Sequence, residues 1–321
     1  MLDVTLYHWL GFGALVAALL ALDLLVFHRH DHAPSLKESA WWSVFWIGLG
    51  LAFNAAVWWW GNHQAKPAPQ AGVNFLTAFL IEKSLSMDNI FVFVVIFRFF
   101  GVPTMYQYRV LFWGIVGAVF MRLAFILAGV EIIRRFDWVA PALGAFLIYT
   151  GYKLARQGGT EVHPGQNVVL RAARRFFRVA QGDHHQHGHK FFTHEDARWC
   201  ITPMFLTLLV IESTDVVFAV DSVPAVIAVT ADRFIAFSSN IFAILGLRAL
   251  YFVLAGAVDL FRYLHYGLAA ILAFVGVKMI ASFWLKRQGM EEIPAWVSLA
   301  VVAVFLAVSI AASIVAKRRE G

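Results

Sequence analysis

Residues 211–224 read I-E-S-T-D-V-V-F-A-V-D-S-V-P and place three acidic side chains inside strongly apolar sequence. These side chains are Glu212, Asp215 and Asp221. A charged side chain at the centre of a bilayer costs about 2.5–3.5 kcal/mol on insertion scales. A chain that keeps three of them in one apolar segment is expected to use them, so this stretch predicts a functional site.

A second acidic stretch lies far upstream, at residues 80–91, which read L-I-E-K-S-L-S-M-D-N-I-F. It carries Glu82 and Asp88, again between apolar residues. Carboxylates within membrane segments face the interior of a bundle or a water-filled cavity, and they mark ion pathways. The two stretches together predict one cation site in the middle of a membrane transporter.

The composition of the whole chain is that of a membrane protein. Of its 321 residues, 60% are hydrophobic and only 14% are charged, a balance that soluble domains rarely show. Runs of about 20 apolar residues span a bilayer. The sequence therefore predicts an all-α polytopic membrane protein with about nine transmembrane helices. We place them at residues 5–27, 41–61, 73–99, 108–134, 136–156, 199–229, 235–257, 263–284 and 293–316.

Lysine and arginine are concentrated between the apolar runs, where they act as topology signals. Most of them face the cytoplasm if the N-terminus lies outside, so the sequence predicts an outside N-terminus and a cytoplasmic C-terminus. The net charge of +6 therefore does not indicate a nucleic-acid partner. The one cysteine, Cys200, cannot form an intramolecular disulfide.

Two parts of the sequence repeat each other. Residues 75–82 read F-L-T-A-F-L-I-E, and residues 205–212 read F-L-T-L-L-V-I-E, at an offset of 130. Residues 136–153 match residues 261–278 at an offset of 125, and both blocks end in Gly-x-Lys. Glutamate, arginine and Gly-x-Lys recur in the same order in both copies, which chance similarity between apolar segments does not explain.

Each copy is predicted to contain three helices. Because three is odd, the second copy crosses the bilayer in the opposite direction, which makes an inverted repeat with the substrate site at the repeat interface near the bilayer midplane. The chain is thus divided into two N-terminal transmembrane helices (1–72), a first three-helix repeat (73–156), a cytoplasmic basic and His-rich linker (157–198), a second, inverted three-helix repeat (199–284) and a last helix with a cytoplasmic tail (285–321).

The acidic residues of the second copy do not all share one helical face. Glu212 and Asp215 are three residues apart and lie one above the other, whereas Asp221 lies about half a revolution away from Glu212. A straight helix therefore cannot bring all the acids to one point. Pro224 predicts a break, because its ring clashes with the carbonyl of Val220 and frees that oxygen beside Asp221.

Carboxylate and carbonyl oxygens are hard ligands that suit Mg²⁺, Ca²⁺ or Mn²⁺. Several nearby carboxylates cannot all be ionised without counter-charge, so an empty site is expected to take up protons, which offers a route to proton coupling. Further polar side chains are expected to support the site: Asp23, Asn54, Asn89, Ser213, Ser222 and Asn240.

Three basic residues within apolar sequence are expected to balance the acids: Lys83, Arg122 and Arg248. A structural alternative is that Arg122 and Arg248 form salt bridges with Glu82 and Glu212, which leaves fewer acids for a ligand. Asp23 has a structural alternative as well, since an acid near the end of a transmembrane helix can reach the lipid headgroups.

Four segments carry a resemblance to a known family. They read E-K-S-L-S-M-D-N at 82–89, E-S-T-D at 212–215, A-V-D-S-V-P-A at 219–225 and S-N-I-F-A-I-L-G-L-R-A at 239–249. With these motifs the sequence resembles the TerC/Alx family of integral membrane proteins over nearly the whole chain, and the Alx branch by length and helix plan. The resemblance implies Mn²⁺ export across the bacterial inner membrane. It also implies that transport depends on the family's acidic positions, here Glu82, Asp88, Glu212, Asp215 and Asp221.

Two other functions stay open. The first is a membrane accessory or scaffold protein, for metal delivery to secreted proteins or for tellurite resistance. The second is an intramembrane hydrolase, but the sequence has no G-x-G-D, and His194-Glu195 is not followed by the spacing of H-E-x-x-H. We therefore expect no enzymatic activity and no cofactor, with Mn²⁺ and protons as the transported partners.

The linker contains a cluster of histidines: His184, His185, His187, His189 and His194. Short His-rich tracts can bind a transition metal. The alternative is a solvated connection between the two repeats that any polar sequence could provide.

Overall fold

The structure is a computed structural model of the chain. It describes residues 2–27, 35–157, 164–180, 188, 190–195, 198–255, 263–290 and 293–320. Nearly all of the secondary structure in these residues is helical. The helices, numbered in chain order, are α1 (Leu6–Phe27), α2 (Leu36–His63), α3 (Ala71–Phe100), α4 (Thr104–Arg135), α5 (Val139–Gln157), α6 (Val168–Phe176), α7 (Pro203–Val229), α8 (Arg233–Leu245), α9 (Leu247–Ala255), α10 (Leu264–Arg287) and α11 (Ala295–Glu320). A short hairpin, β1 (Phe192–Glu195) and β2 (Arg198–Ile201), lies between α6 and α7.

Six helices in the described residues are long and apolar enough to cross a bilayer: α1, α2, α4, α7, α10 and α11. α8 and α9 pass the same test together and give a seventh crossing if the bent pair is one span. α3 and α5 are helical across the other two predicted spans but do not meet these criteria; α3 carries three charged residues, Glu82, Lys83 and Asp88, within two turns. The chain is therefore a helical, multi-pass membrane protein, and the count of nine crossings stays a prediction.

Local sequence signals set where the helices begin. Thr202 caps α7, because its side chain accepts a hydrogen bond from the backbone N–H of Phe205. Asp232 caps α8, because its Oδ1 accepts hydrogen bonds from the backbone N–H groups of Phe234 and Ile235. Its Oδ2 accepts from the backbone N–H of Leu2 at 2.7 Å. This second bond ties the N-terminal segment to the start of α8.

The helix break predicted at Pro224 is wrong. α7 continues through Pro224 to Val229 as one helix, since a proline removes one intrahelical hydrogen bond while packed neighbours hold the rest of the helix. The acidic stretch of α3 is likewise helical throughout. The break lies at Gly246 instead, where α8 and α9 meet at 42°. A Cβ atom at Gly246 would lie 2.7 Å from the Cβ of Trp46, so α2 approaches the break closely.

α5 and α10 cross at a short distance between their backbones. A Cβ atom added at Gly144 of α5 would lie 2.8 Å from the carbonyl oxygen of Gly276 in α10. One added at Gly151 would lie 2.7 Å from the carbonyl oxygen of Ala269. Residue numbers at the contact rise along α5, from Gly144 to Gly151, while those of the partners in α10 fall from Gly276 to Ala269. The two helices are therefore antiparallel. Small residues at helix interfaces permit such close approach.

The described parts of the linker are folded. α6 packs on α7 with Leu170 and Ala173 buried, and the backbone N–H of Ile201 donates a hydrogen bond to the carbonyl oxygen of Arg178 at 2.9 Å. These described residues of the linker are therefore packed against the helices on one side, and the role of the histidine cluster stays a prediction. Four histidines of the cluster lie outside the described residues: His184, His185, His187 and His189.

Candidate cation site

Arg122 of α4 lies at the centre of a buried polar cluster that four helices form. Its side chain is 1% exposed. Nη1 donates to the carboxylate of Glu82 on α3 and to Oδ1 of Asn240 on α8, at 3.2 Å. Nη2 donates to Oδ1 of Asp215 on α7, at 3.3 Å. One guanidinium therefore faces two carboxylates, and with both ionised this Arg122 cluster carries a net negative charge.

Several polar atoms of the Arg122 cluster have no hydrogen-bond partner among the described residues. Glu82 Oε2 and Asp215 Oδ2 are the second oxygens of the two carboxylates that Arg122 holds, and both are buried and unpartnered. Nδ2 of Asn240 is also buried and has no partner among these residues, and the same is true of Oγ of Ser222, further along α7. Each unpaired buried polar atom costs about 1–3 kcal/mol. The two free anionic oxygens suit a proton or a hard cation that supplies the missing contact.

Glu212 lies one turn before Asp215 on α7 and packs against α4 at Gly117. A Cβ atom added at Gly117 would overlap the whole carboxyl group of Glu212. α4 therefore accommodates this acid because residue 117 has no side chain. Glu212 is half-buried and forms no salt bridge with any described residue. Part of its surface stays available to a ligand.

Asp221 contacts a different helix from the other acids of α7. Its Oδ1 accepts a hydrogen bond from Thr150 Oγ1 on α5, at 3.4 Å. It lies about 9 Å further along the helix axis than Asp215. In the part of the chain that the structure describes, no three His, Cys, Asp or Glu side chains are grouped closely enough to hold a metal ion. The side chain of Asp88 lies outside that part.

Arg248 pairs with Asp23 on α1 and not with Glu212. Its Nη2 donates to the carboxylate of Asp23 and, at 3.3 Å, to the backbone carbonyl of the same residue. Both side chains are 5% exposed. The alternative that Arg248 bridges Glu212 is therefore wrong, because α9 starts after the bend at Gly246 and directs Arg248 to α1. The interpretation of Asp23 as a headgroup acid is wrong as well, since the side chain is buried.

Lys83 contacts a backbone carbonyl in the described residues and not a carboxylate. Its Nζ donates to the carbonyl oxygen of Ala243 at 3.0 Å. The last four carbonyls of a helix have no partner within the helix, and Ala243 lies in the last turn of α8, just before the bend at Gly246. Lys83 therefore stabilises the end of α8. It contributes positive charge in the same part of α3 but forms no salt bridge with any acid whose side chain the structure describes.

The remaining predicted residues lie on four different elements: Ser213, Asn89, Asn54 and His194. Ser213 Oγ accepts a hydrogen bond from Nδ2 of Asn167 at 2.9 Å and donates one to the carbonyl of Val210 at 2.8 Å. Asn89 is buried on α3. Asn54 is on α2, and its buried Oδ1 has no partner among the described residues. Because Asn167 lies in the linker, its hydrogen bond makes Ser213 part of the contact between α7 and the linker. His194, on β1, packs against Trp199 with ring centroids 4.0 Å apart and the two rings tilted by 51°.

Three residues near the predicted acids were missed by sequence reasoning: Gly117, Thr150 and Asn167. Thr150 directly precedes the Gly-x-Lys block of the first repeat, so its position within the repeated segment was a usable signal. Asn167 directly precedes an amphipathic run and has the chemistry of a helix N-cap, which was a usable signal. Gly117 is one of several glycines in apolar sequence, and nothing in the sequence distinguishes it.

An open cleft of about 1110 Å³ lies at one end of the helix bundle. The ends of α4, α7 and α10 and the starts of α3 and α5 form its walls. It reaches Ile227, about 9 Å along α7 from Asp221. The charged residues of its lining are Arg135, Asp137, Asp232, Lys278, Lys286 and Arg287.

The fold and the site define a multi-pass integral membrane protein with a buried cluster of carboxylates and a guanidinium. The chain belongs to the TerC family, since the family described as "Integral membrane protein TerC family" matches residues 68–321. The resemblance based on the four sequence motifs is thus confirmed.

Related proteins match nearly the full length. "Uncharacterized membrane protein STKORF319" of Myxococcus xanthus is 49% identical over 310 residues, which cover 97% of this chain and 92% of that protein. The protein of Escherichia coli (strain K12) called "Putative membrane-bound redox modulator Alx" is 44% identical over 299 residues, covering 92% and 90%. An "Uncharacterized membrane protein" of Rickettsia bellii is 37% identical over 309 residues, covering 96% and 97%. No solved structure matches the chain.

Proposed function

We propose that this chain exports a divalent cation, with Mn²⁺ as the preferred ion, across the bacterial inner membrane by alternating access with proton coupling, and that it is not an enzyme. The observation that carries the proposal is the pair of carboxylate oxygens, Glu82 Oε2 and Asp215 Oδ2, that have no hydrogen-bond partner in the described part of the chain and belong to acids held by one buried guanidinium. Anionic oxygens at this depth need positive charge, and a hard cation supplies it.

The chemistry of the donors favours Mn²⁺, Ca²⁺ or Mg²⁺ over softer ions, because the available ligands are carboxylate, amide and hydroxyl oxygens. Glu212 is the nearest further carboxylate along α7 and has no salt bridge of its own in the described residues. Arg122 and protons balance the acids when the cation is absent. Binding of a divalent cation then displaces protons, and this exchange couples cation movement to proton movement.

Contacts between α5 and α10 support an inverted repeat within a nine-helix plan. The sequence offset of 125 residues relates Gly144 to Ala269 and Gly151 to Gly276. The same offset therefore converts the contact between Gly144 and Gly276 into the contact between Ala269 and Gly151. A two-fold axis between the helices has this property. It is the symmetry expected of two copies that cross the bilayer in opposite directions.

The two ends of the bundle differ in a way that suits alternating access. The cleft of about 1110 Å³ opens at the end of α7 that lies beyond Asp221. At the other end α6 lies against α7, and Asn167 covers Ser213, the neighbour of Glu212. With the N-terminus outside, as the distribution of lysine and arginine favours, the cleft faces outward and the linker covers the cytoplasmic side.

A membrane accessory protein is the second candidate, and the name of the Escherichia coli relative favours it. A redox role through thiols is restricted here, because the 321 residues contain one cysteine and Cys200 is buried. One cysteine cannot cycle between an intramolecular dithiol and a disulfide. An accessory role would then consist of metal delivery to a partner protein.

The deciding experiment is Mn²⁺ uptake into proteoliposomes that contain the purified protein, at a set pH gradient. Wild-type protein should take up Mn²⁺ faster than empty liposomes, and Asp215→Asn should reduce the rate at least tenfold. Glu131→Gln is the matched control, because Glu131 is a partly exposed acid at the far end of α4 that pairs with Arg135 and Arg233 and not with Arg122. Uptake equal in wild type and Asp215→Asn would contradict the proposal. Uptake by neither, with both proteins folded, would favour the accessory role.

A further inference from the structure

α6 has apolar side chains on two sides, and the rest of the protein buries one of these sides. Leu170 and Ala173 are buried against the bundle. On the other side, Val168 is 70% exposed and Phe176 is 79% exposed. Val168, Ala172 and Phe176 are spaced by four residues, so they form one stripe along the helix. This exposed stripe is apolar surface that water would otherwise solvate.

Two basic side chains, Arg171 and Arg175, border the exposed stripe, and a third, Arg174, lies further round the helix, nearer the buried side. Arg171, Arg174 and Arg175 are all exposed, and the sequence V-V-L-R-A-A-R-R-F of α6 contains no acidic residue. Steps of about 100° per residue place Arg171 and Arg175 within about 60° of Val168 around the helix. The outward side of α6 therefore combines an apolar stripe with positive charge.

The position of α6 places this side at the end of a candidate membrane span. Its N-cap Asn167 bonds to Ser213, and Arg178, beyond its last residue, bonds to Ile201, just before α7 begins. α6 therefore runs antiparallel to the first turns of α7 over roughly 14 Å. α7 has 27 residues, roughly 40 Å, against a hydrocarbon thickness of roughly 30 Å. The start of α7 lies at the level of the lipid headgroups if the span is centred.

The chemistry of this side matches a lipid surface better than a soluble partner. An apolar stripe with basic side chains at its edge suits the boundary between acyl chains and headgroups, where the apolar side chains are buried and long basic side chains reach the headgroups. Anionic headgroups attract arginines that flank a transmembrane segment. Because α7 already holds α6 beside the bilayer, the helix needs no separate association step.

We propose that α6, held along the first turns of α7, contacts lipid at the membrane surface and binds anionic phospholipid. Val168, Ala172 and Phe176 enter the boundary between headgroups and acyl chains. The guanidinium groups of the three arginines, Arg171, Arg174 and Arg175, bind lipid phosphate. The inference is independent of the transported ion, since it concerns a surface at the opposite end of α7 from the outer cleft.

A fluorescent label on α6 tests this in the full chain. In a Cys200→Ala background, which leaves no other thiol, Ala172→Cys carries an environment-sensitive dye, and the protein is reconstituted in phosphatidylcholine vesicles with or without phosphatidylglycerol. We expect a shift of the emission to shorter wavelength with phosphatidylglycerol, and quenching by spin-labelled lipid. The same dye at Lys66→Cys, in the exposed α2–α3 loop, is the control and should not respond.

The arginines are tested by changing Arg171, Arg174 and Arg175 together to Gln in the labelled protein. Most of the shift that phosphatidylglycerol produces should be lost, whereas changing Lys286 and Arg287 to Gln at the other end of the bundle should leave it intact. Equal emission with and without phosphatidylglycerol would overturn the proposal. Absence of quenching by spin-labelled lipid would also overturn it and would indicate that another protein covers the stripe. Thermal unfolding of each variant shows that the result does not come from misfolding.

Discussion

Nη2 of Arg122 lies 3.3 Å from Oδ1 of Asp215, while Nη1 of the same side chain holds the carboxylate of Glu82. One buried cation thus joins α3, α4 and α7. Removing one partner of a buried ion pair leaves an uncompensated charge, so it is far more damaging than replacing the whole pair. The stability of this part of the bundle and the charge of the candidate cation site therefore depend on the same residues.

The first prediction concerns Arg122→Gln. The substitution leaves Glu82 and Asp215 as two buried acids without their shared counter-charge, so we expect a loss of about 3–5 kcal/mol in the free energy of unfolding. Thermal unfolding of the protein in detergent measures it. Mn²⁺ should raise the Tm of the variant more than that of wild type, because the ion replaces the missing positive charge.

Arg135→Gln is the control for that experiment, since this arginine is at the exposed end of α4, with 72% of its side chain accessible. Its Tm should stay close to that of wild type. An Arg122→Gln protein as stable as wild type would show that the acids do not need the guanidinium, and the assignment of a charge-balanced cluster would fail.

The second prediction concerns Gly117→Ala. The added methyl group would overlap the carboxyl group of Glu212, so we expect Glu212 to be displaced from α4 and the rate of Mn²⁺ uptake to fall at least tenfold. Gly48→Ala on α2 is a matched control, because a Cβ atom there meets nothing within 4 Å. In the control, alanine should be neutral or stabilise the helix by about 0.5–1 kcal/mol. Normal uptake by Gly117→Ala would show that transport does not depend on the position of Glu212 against α4.

The third prediction concerns the ion pair of Asp23 and Arg248. Asp23→Leu and Arg248→Met should each destabilise the protein by about 3–5 kcal/mol, because each leaves one buried charge. The double variant should recover most of that loss, since it leaves an apolar contact between α1 and α9. A double-mutant cycle of unfolding free energies gives the coupling. Losses that simply add would show that the two side chains do not interact.

Much of the fold follows from the sequence because helix signals are local. The long apolar runs predict the positions of the main helices, and polar residues at their starts predict caps such as Thr202 and Asp232. The charge of the site was also predictable, since Glu82, Asp215 and Arg122 are ionisable residues in apolar sequence. Burial at that depth leaves them few options other than pairing with one another or with a ligand.

The partners within the site were less predictable, because they depend on how helices pack. Arg122 and Arg248 are equivalent in the sequence repeat, yet one binds Glu82 and the other binds Asp23. The difference comes from α1, which lies outside the repeat, and from the bend at Gly246. No periodic pattern in the sequence indicates which helix α1 contacts or that the chain bends at Gly246. The break expected at Pro224 failed for a similar reason, since packing against neighbouring helices keeps α7 continuous.

The last prediction concerns the contact between the linker and α7, where Asn167 has two separable roles. Its Oδ1 caps α6 by accepting hydrogen bonds from Val169 and Leu170, and its Nδ2 donates to Ser213. Ser213→Ala removes the second contact and leaves the cap intact. Asn167→Ala removes both, and loss of an N-cap alone costs a helix about 0.5–2 kcal/mol.

Amide hydrogen exchange across α6 in reconstituted protein distinguishes these roles. Ser213→Ala should speed exchange moderately, because α6 loses one anchor to α7 but keeps its own start. Asn167→Ala should speed it further, because the first turn loses its cap as well. If the linker covers the cytoplasmic side of the site, both variants should also make a thiol at position 212, introduced by Glu212→Cys in a Cys200→Ala background, more reactive toward water-soluble reagents. Unchanged reactivity in both would show that α6 does not control access there.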